Sequence, residues 1–343
     1  MKRVTVKGLK SNSTILIGES FDNVCRYIPQ RGVFIITDSN IQRLYGERFP
    51  KFPLYVIEPG EASKSIHSAT SIYRWLLDEG ADRSSFILGI GGGAVCDLTG
   101  FIASTFMRGV PSGFVATSLM AQVDAGIGGK NGINLDGYKN IIGTFKQPEF
   151  VLCDHNLLKT LPADEYSNGL AEVVKYSLIS SDPGFSFIEN NISKILNLNE
   201  EMLKYLITQS VKVKARIVSA DEQEMNLRRI LNLGHTWGHA IEKITGMPHG
   251  KSVGVGMVFA ANLSCRKGLL TEPERDRIIR LLHNLGLPVD SSANHAVVFD
   301  TLLKDKKKEG DVIHFVLMQG IGKCIIEPFK VDELKKFILH DSI

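Results

Sequence analysis

The sequence predicts an α/β fold, with a mostly parallel sheet in the first part of the chain and a mainly α-helical second part. Short apolar runs alternate with helical patterns up to about residue 160, and such alternation is typical of parallel sheets. Beyond that point the patterns are almost entirely helical. A length of 343 residues suits two domains or one large one, with enough chain for substantial cores.

The composition is that of a soluble globular protein, with 43% apolar and 22% charged residues. The net charge of +3 gives no support for a nucleic-acid or membrane-surface partner. Five scattered cysteines without a C-x-x-C pair favour reduced thiols, and no apolar signal core follows the basic N-terminus. We therefore expect a cytoplasmic protein.

The first part supplies the candidate strands. An antiparallel pair is predicted over 4–6 and 14–17, and further strands over 33–38, 54–57, 86–90, 113–117 and 150–153. Helices are predicted from residue 41, over 65–77, and from the glycines at 91–93 through residue 103.

The second part supplies the candidate helices, over 162–179, 182–196, 200–220, 230–244, 253–267 and 272–285. Strands are predicted only near the end, over 312–317 and 324–326. The predicted domains are therefore 1–160 and 161–343. Ligands bind open parallel sheets beyond the carboxyl ends of the strands, so we expect the site in the cleft between the domains.

A glycine-rich turn, GIGGGA over 89–94, joins a predicted strand to a predicted helix. Glycines let backbone amides approach a phosphate, and the start of a helix favours an anion. The turn fits G-x-G-x-x-A, but the acidic residue expected about 20 residues later for a ribose is missing. Asp38, at the end of an earlier strand, is an alternative ribose partner. We favour a nucleotide phosphate site over a structural turn.

A second glycine-rich stretch, DAGIGGKN over 124–131, is not a P-loop. Asp124 replaces the first glycine of that motif, and Asn131 replaces its Ser or Thr. The stretch still delivers Lys130, with Lys139 and Asn140 shortly after it, and lysine suits a phosphate as a mobile charge. A structural turn with solvated charges explains it equally well.

Glu172 and Lys175 stand at i and i+3 on one predicted helical face, among small and apolar neighbours. The pair is either a surface ion pair or a hard metal ligand beside an ammonium group.

One predicted helical stripe is unusual for a solvated face. On an α-helix, Arg228, Asn232, His235, His239 and Glu242 fall within an arc of about 80°. Solvated faces are normally rich in Lys and Glu, whereas two histidines four residues apart can approach one metal ion from the same side.

His249 lies in a Pro/Gly turn before a helix of small residues. Together with Glu172 and one stripe histidine it would complete a His₂Glu zinc site, a type that leaves one position open for substrate. Spacing alone does not decide whether His235 or His239 belongs to that set.

Seven segments in order resemble the 3-dehydroquinate synthase family: GIGGGAVCD, MRGVP, QVDAGIGGKNGIN, GYKNIIGTFKQP, LPADEYSNGLAEVVKY, LNLGHTWGHAIE and HGKSVGVGM. The resemblance covers about residues 33–257, with weaker support at 305–307. It implies conversion of 3-deoxy-D-arabino-heptulosonate 7-phosphate to 3-dehydroquinate and phosphate, with NAD and a divalent metal, usually Zn²⁺ and alternatively Co²⁺. An α/β NAD-binding domain and a helical domain for metal and substrate are implied as well.

The resemblance also implies roles for individual residues. The implied metal ligands are Glu172, His235 and His249. The implied NAD site consists of Asp38, Glu61, Lys64, Gly92, Gly93, Asp97, Thr117, Ser118, Asp124, Lys139, Thr160, Leu161 and Glu165. The implied substrate site consists of Lys130, Asn140, Lys175, Lys214, Arg228, Asn232, His239 and Lys306, the last preferred to Lys307. Arg108 would reach the phosphate pocket of a neighbouring subunit, which implies a homodimer.

The chain departs from the family at Asn131, where Thr is frequent, and in the short segment between Gly246 and His249. The alternatives are another sugar phosphate cyclase, such as a 2-deoxy-scyllo-inosose synthase, a metal-dependent polyol dehydrogenase of the glycerol dehydrogenase type, or a non-catalytic NAD sensor. Retention of the substrate-site cations favours the carboxylated heptulosonate phosphate.

Overall fold

The computed structural model describes residues 1–181, 184–304, 308–309 and 311–339. The chain divides into two compact units. The first comprises Met1–Pro162 and Lys214–Gln223, and the second comprises Ala163–Val213 and Glu224–Ile343.

The first unit is built on a seven-stranded sheet. Its strands are β1 (Lys2–Val6), β2 (Ser13–Ile17), β3 (Val33–Asp38), β4 (Leu54–Ile57), β5 (Phe86–Gly91), β6 (Ser112–Ala116) and β9 (Phe150–Cys153). They lie in the order β1-β2-β9-β6-β5-β3-β4. Only β1 runs antiparallel to its neighbour, so the predicted mostly parallel sheet with an antiparallel opening pair is confirmed.

Apolar side chains cover both faces of this sheet. Alternate residues of a strand point to opposite faces, and Ile35 and Ile36 accordingly belong to two different core clusters. Helices α1 (Ser39–Tyr45), α2 (Ile66–Asp78) and α3 (Gly93–Thr105) supply the crossovers that bury a parallel sheet.

A two-stranded hairpin in the first unit was not predicted. It consists of β7 (Lys130–Leu135) and β8 (Tyr138–Phe145), paired antiparallel. The residues of β8 are largely exposed and the hairpin contains several polar residues and glycines, so its pattern was interpreted as a loop.

The second unit is mainly helical, as predicted. Its helices are α4 (Ala163–Ile179), α5 (Phe185–Glu189), α6 (Ile192–Leu196), α7 (Glu200–Ala220), α8 (His235–Thr245), α9 (His249–Arg266), α10 (Glu272–Asn284), α11 (His295–Lys304) and α12 (Val331–Leu339). A small antiparallel sheet is formed by β10 (Lys308–Glu309), β11 (Val312–Met318) and β12 (Cys324–Lys330). The core includes Trp237 stacked on Phe259, with ring centroids 4.1 Å apart.

The second half of the chain differs from the sequence prediction in three ways. The helix predicted over 182–196 is instead the two short helices α5 and α6, with 182–183 outside the described residues. Helices α11 and α12 were not predicted. The end of α7 returns to the first unit, where Ser219 accepts a hydrogen bond from the Lys7 amide at 2.8 Å and Glu222 one from the Leu9 amide at 2.7 Å. No helix among the described residues is long and apolar enough to cross a membrane.

Candidate metal centre and nucleotide site

Three histidines of the second unit form a cluster. His235 and His239 lie on the first two turns of α8, and His249 is the first residue of α9. One ring nitrogen from each histidine lies within 4.8 Å of those of the other two. The sequence placed His249 in a loop; the structure places it at a helix start.

The predicted helix through 228–242 is interrupted. Arg228 and Asn232 belong to a separate 3-10 turn, Leu227–Asn232, and α8 begins only at His235. Gly234 between them has a φ of 77°, a left-handed conformation that suits glycine. The idea of one continuous polar stripe was therefore wrong, although His235, His239 and Glu242 do share α8.

Close packing of α8 and α9 brings the histidines together. A Cβ on Gly256 would lie 1.9 Å from the carbonyl oxygen of Gly234, so only glycine permits this approach. Glycine among the small residues that follow His249 therefore allows α9 to pack closely against α8.

A second close approach joins α9 to α4. A Cβ on Gly250 would lie 1.9 Å from the backbone oxygen of Asn168. The Asn168 side chain accepts hydrogen bonds from the amides of Gly250 and Lys251, at 2.5 and 3.2 Å, which satisfies unpaired donors at the start of α9. Glu172 stands one turn later on α4, and this packing sets it beside His249.

Glu172 completes the cluster from α4. Its side chain is fully buried, and Oε1 lies 3.7 Å from Nε2 of His235 and 3.9 Å from Nε2 of His249. That oxygen accepts no hydrogen bond from the described residues, while Oε2 forms an ion pair with Lys175, whose side chain is only 2% exposed. A buried carboxylate oxygen without a hydrogen bond is costly and calls for a cation.

The ring orientation of His235 fits a metal ligand. Its Nδ1 lies 3.0 Å from the carbonyl oxygen of Leu233, which can only accept, so Nδ1 carries the proton and Nε2 presents a lone pair toward Glu172. Burial, and next the positive charge of Lys175, hold the pKa of His235 well below its ordinary value. His235 is therefore neutral, the form that binds metals.

These distances fit a small divalent cation. Two ligands of one tetrahedral zinc ion lie roughly 3.4 Å apart when each bond is about 2.1 Å. The separations of 3.7 and 3.9 Å are close to that value. Proximity alone also admits His239, so the contacts of Glu172 Oε1 with Nε2 of His235 and His249 are what favour these two histidines.

Two polar residues proposed for the substrate, Arg228 and Asn232, lie on the 3-10 turn just before α8. Arg228 is 2% exposed, an unusual burial for a guanidinium group. Asn232 donates a hydrogen bond to Glu224 Oε1 at 2.7 Å, and Glu224 has a φ of 59°. Sequence reasoning missed Glu224, because it stands in a segment without helical or strand periodicity.

In the first unit, several predicted NAD-site residues follow the carboxyl ends of adjacent parallel strands. Asp38 ends β3, Gly92 and Gly93 follow β5, and Thr117 follows β6. This is the edge at which open parallel sheets bind nucleotides. Asp38 also caps α1 by accepting a hydrogen bond from the Ile41 amide at 3.0 Å. Ser118 likewise accepts one from the Ala121 amide at 3.2 Å.

A charge cluster around one buried lysine includes Asp97 of α3, the helix that follows the glycine-rich turn. Lys64, only 3% exposed, lies 2.7 Å from Asp97 and 3.2 Å from Glu61. Burial lowers the pKa of Lys64, but the two carboxylates outweigh burial and raise it overall. Lys64 therefore carries its positive charge at neutral pH.

The other predicted residues are placed as follows. Asp124 lies on a π-helical turn, Ala121–Ala125, and pairs with Lys214. Lys130 begins β7, and Lys139 and Asn140 lie exposed on β8. The side-chain hydroxyls of Thr160 and Tyr45 form a hydrogen bond of 2.5 Å. Leu161 and Glu165 flank the start of α4, Arg108 is exposed on a turn, and Lys306 lies outside the described residues.

Solved structures with this fold define the class. A 2-deoxy-scyllo-inosose synthase complexed with carbaglucose-6-phosphate, NAD⁺ and Co²⁺ has a TM-score of 0.87 at 26% identity, covering 99% of this chain and 100% of that one. A 2-epi-5-epi-valiolone synthase from Streptomyces hygroscopicus subsp. jinggangensis 5008, with NAD⁺ and Zn²⁺ bound, has a TM-score of 0.88 at 25% identity over 99% of each chain. A probable glycerol dehydrogenase from Sinorhizobium meliloti 1021, at 14% identity, shares the fold alone (TM-score 0.61, covering 96% of this chain and 95% of that one). The fold is that of the sugar phosphate cyclases.

Sequence comparison identifies the family. The model for the 3-dehydroquinate synthase N-terminal region matches residues 54–168, and the model for the C-terminal region matches residues 169–308. A 3-dehydroquinate synthase from Thermoanaerobacter pseudethanolicus is 40% identical over 336 residues, covering 93% of this chain and 94% of the relative. One from Acidithiobacillus ferrooxidans is 43% identical over 306 residues, covering 86% and 84%. The chain belongs to the 3-dehydroquinate synthase family.

Proposed function

We propose that this protein is a 3-dehydroquinate synthase, a carbon–oxygen lyase of the shikimate pathway that leads to the aromatic amino acids. Its reaction converts 3-deoxy-D-arabino-heptulosonate 7-phosphate to 3-dehydroquinate and phosphate. The observation that carries the proposal is the buried Glu172 carboxylate, which lies against Nε2 of both His235 and His249 and pairs with Lys175. The two family matches, which together span 54–308, support this reaction within the wider class.

The reaction is redox-neutral overall. When bound, NAD⁺ supplies a reversible hydride acceptor and the divalent metal supplies a Lewis acid. Oxidation of the substrate C5 hydroxyl gives a ketone that acidifies the neighbouring C–H, so phosphate leaves by β-elimination. Reduction at C5, ring opening and an intramolecular aldol addition then produce the carbocycle.

The metal ligands in this proposal are Glu172, His235 and His249. Zn²⁺ and Co²⁺ are both suitable ions, and the two solved relatives described above contain Co²⁺ and Zn²⁺ respectively. Two neutral imidazoles and one carboxylate leave a net positive site, which suits an electron-rich substrate oxygen.

The NAD site in this proposal lies on the first unit, at the carboxyl edge of β3, β5 and β6. Backbone amides at Gly92 and Gly93 and the start of α3 suit the pyrophosphate, and Asp38 suits a ribose hydroxyl. The remaining predicted residues are Glu61, Lys64, Asp97, Thr117, Ser118, Asp124, Lys139, Thr160, Leu161 and Glu165.

The substrate carries a carboxylate and a phosphate, and the proposed binding residues are cations and amide or imidazole donors. They are Lys130, Asn140, Lys175, Lys214, Arg228, Asn232, His239 and Lys306. Lys175 and Arg228 are buried, so their charges are poorly screened and attract anions strongly.

We also infer a cytoplasmic homodimer in which Arg108 serves the neighbouring subunit. Met107, Arg108 and Gly109 have successive positive φ values of 48°, 68° and 113°. Such strain in non-glycine residues is concentrated at functional sites, and Arg108 is exposed at the tip of this turn. Sedimentation analysis of the native mass tests the dimer directly.

One assay separates the candidate activities. Purified protein is incubated with the heptulosonate phosphate, NAD⁺ and Zn²⁺ while phosphate, cyclic product and NADH absorbance are followed. We expect phosphate and 3-dehydroquinate without lasting NADH. Steady NADH accumulation would indicate a polyol dehydrogenase instead, and turnover of glucose 6-phosphate with an inert heptulosonate would indicate the 2-deoxy-scyllo-inosose synthase type.

A further inference from the structure

Glu242 is a buried carboxylate with a specific partner at the proposed metal site. Its side chain is 6% exposed, and Oε2 lies 3.1 Å from Nδ1 of His249. A carboxylate removed from water in this way is unfavourable unless a donor compensates it. The imidazole of His249 supplies such a donor.

Glu242 shares one helix with a proposed ligand. It stands seven residues after His235 on α8, which places both side chains on the same helical face. The carbonyl of Leu233, just before α8, fixes the ring of His235, and Glu242, two turns later, contacts the ring of His249 on α9. A single segment thus orients two imidazoles.

His249 needs this support more than His235 does. The His249 side chain is 33% exposed, compared with 10% for His235, so packing restrains its ring less. As the first residue of α9, it also follows the turn at Pro248. A hydrogen bond at Nδ1 is what turns Nε2 toward Glu172, at 3.9 Å.

We propose that Glu242 is a positioning residue for the metal site, an inference that rests on the proposed function. Glu242 accepts the Nδ1–H hydrogen bond of His249, selects the tautomer whose Nε2 lone pair faces Glu172, and makes that nitrogen a stronger donor. Carboxylate–histidine–metal arrangements of this kind typically change metal affinity 10- to 100-fold when the carboxylate is removed.

Metal affinity tests the proposal independently of turnover. The full-length protein is stripped with a chelator and titrated with Zn²⁺ against a chromophoric competitor, and with Co²⁺ by its visible absorption. We expect Glu242→Ala to weaken binding of both ions 10- to 100-fold and to alter the Co²⁺ spectrum. Glu242→Gln, which keeps an acceptor without the charge, should fall between Glu242→Ala and wild type.

A double-mutant cycle shows whether Glu242 acts through His249. In a His249→Ala background, Glu242→Ala should produce no further loss of affinity. The matched control is Glu189→Ala, which breaks an ion pair with Arg277 at 2.7 Å elsewhere in the second unit. It should leave metal affinity at the wild-type value.

Two results would overturn the proposal: Zn²⁺ affinity of Glu242→Ala within about twofold of wild type, or an equal additional loss in the His249→Ala background. A drop in the melting temperature of the metal-free protein without an affinity change would assign Glu242 a purely structural role. If the wild-type protein does not convert the heptulosonate phosphate but Glu242→Ala still weakens metal binding, the proposed function is refuted and the role of Glu242 stands.

Discussion

Lys214 donates two hydrogen bonds to Asp124, one to carboxylate Oδ1 at 2.7 Å and one to the backbone oxygen at 2.8 Å. The two residues are 90 positions apart, and both belong to the first unit. Lys214 therefore fixes the π-helical turn on which Asp124 lies. This contact links a residue proposed for the substrate to one proposed for NAD.

Lys214→Met should accordingly weaken NAD⁺ binding as well as turnover. Hydrogen bonds to charged groups contribute about 1.5–3 kcal/mol, so we expect the NAD⁺ dissociation constant to rise about tenfold or more. Calorimetric titration with NAD⁺ measures it. An unchanged NAD⁺ affinity alongside lost turnover would show that Lys214 serves the substrate alone.

Lys130→Ala should have a different effect, because Lys130 is exposed at the start of β7. We expect KM for the heptulosonate phosphate to rise about tenfold through loss of one charge-assisted contact. The NAD⁺ dissociation constant should remain nearly unchanged, as calorimetry would show. A large rise in that constant would indicate that Lys130 contributes to the NAD⁺ site instead.

His249→Ala and His239→Ala should separate metal binding from turnover. Removing His249 takes away a proposed ligand, so metal affinity should fall by more than about 100-fold. Removing a residue that only supports a ligand typically lowers metal affinity by about 10- to 100-fold. His239→Ala should retain the metal and turn over poorly. Elemental analysis of the dialysed proteins measures the metal content, and equal loss in both variants would contradict the ligand assignment.

Lys64→Met should destabilise the protein by about 3 kcal/mol, because the buried lysine compensates Asp97 and Glu61. The raised pKa of Lys64 gives the pH dependence. Its contribution is fully present below the ordinary lysine value of about 10.4 and is lost only as the pH rises through the higher folded value. Lys64 is therefore charged at both pH 6 and pH 8. Urea unfolding at pH 8 measures the difference, and equal stability of the variant and the wild type would contradict the assignment.

Asn131→Ala should lower stability, because this residue holds the glycine-rich turn. Its side-chain amide donates hydrogen bonds to the carbonyls of Gly129 and Lys146, both at 3.0 Å, and the residue is 6% exposed. We expect a loss of about 1–3 kcal/mol in the free energy of unfolding, measured with urea. Asn40→Ala, at an exposed position of α1, is the control and should be nearly neutral. Equal stability of the two variants would contradict this role.

Local sequence patterns predicted most of the secondary structure, and they identified the family. Apolar runs such as Val33–Asp38 and Phe86–Gly91 predicted the parallel strands, because a strand buried on both faces needs a continuous apolar run. The motifs also supplied the candidate metal ligands, although only the resemblance to the family chose His235 over His239. These signals lie within short segments, where period and turn chemistry are explicit.

Only the tertiary structure decided how these segments meet. Gly234 interrupts the predicted stripe, α4 brings Glu172 to the histidines, and Lys214 returns to Asp124. The packing of α9 on α8 and α4 depends on a close backbone approach that glycine alone allows. The spacing of residues within one helix does not show which other helix it packs against. The sequence predicted which residues carry the chemistry, whereas long-range packing determined which of their atoms face one another.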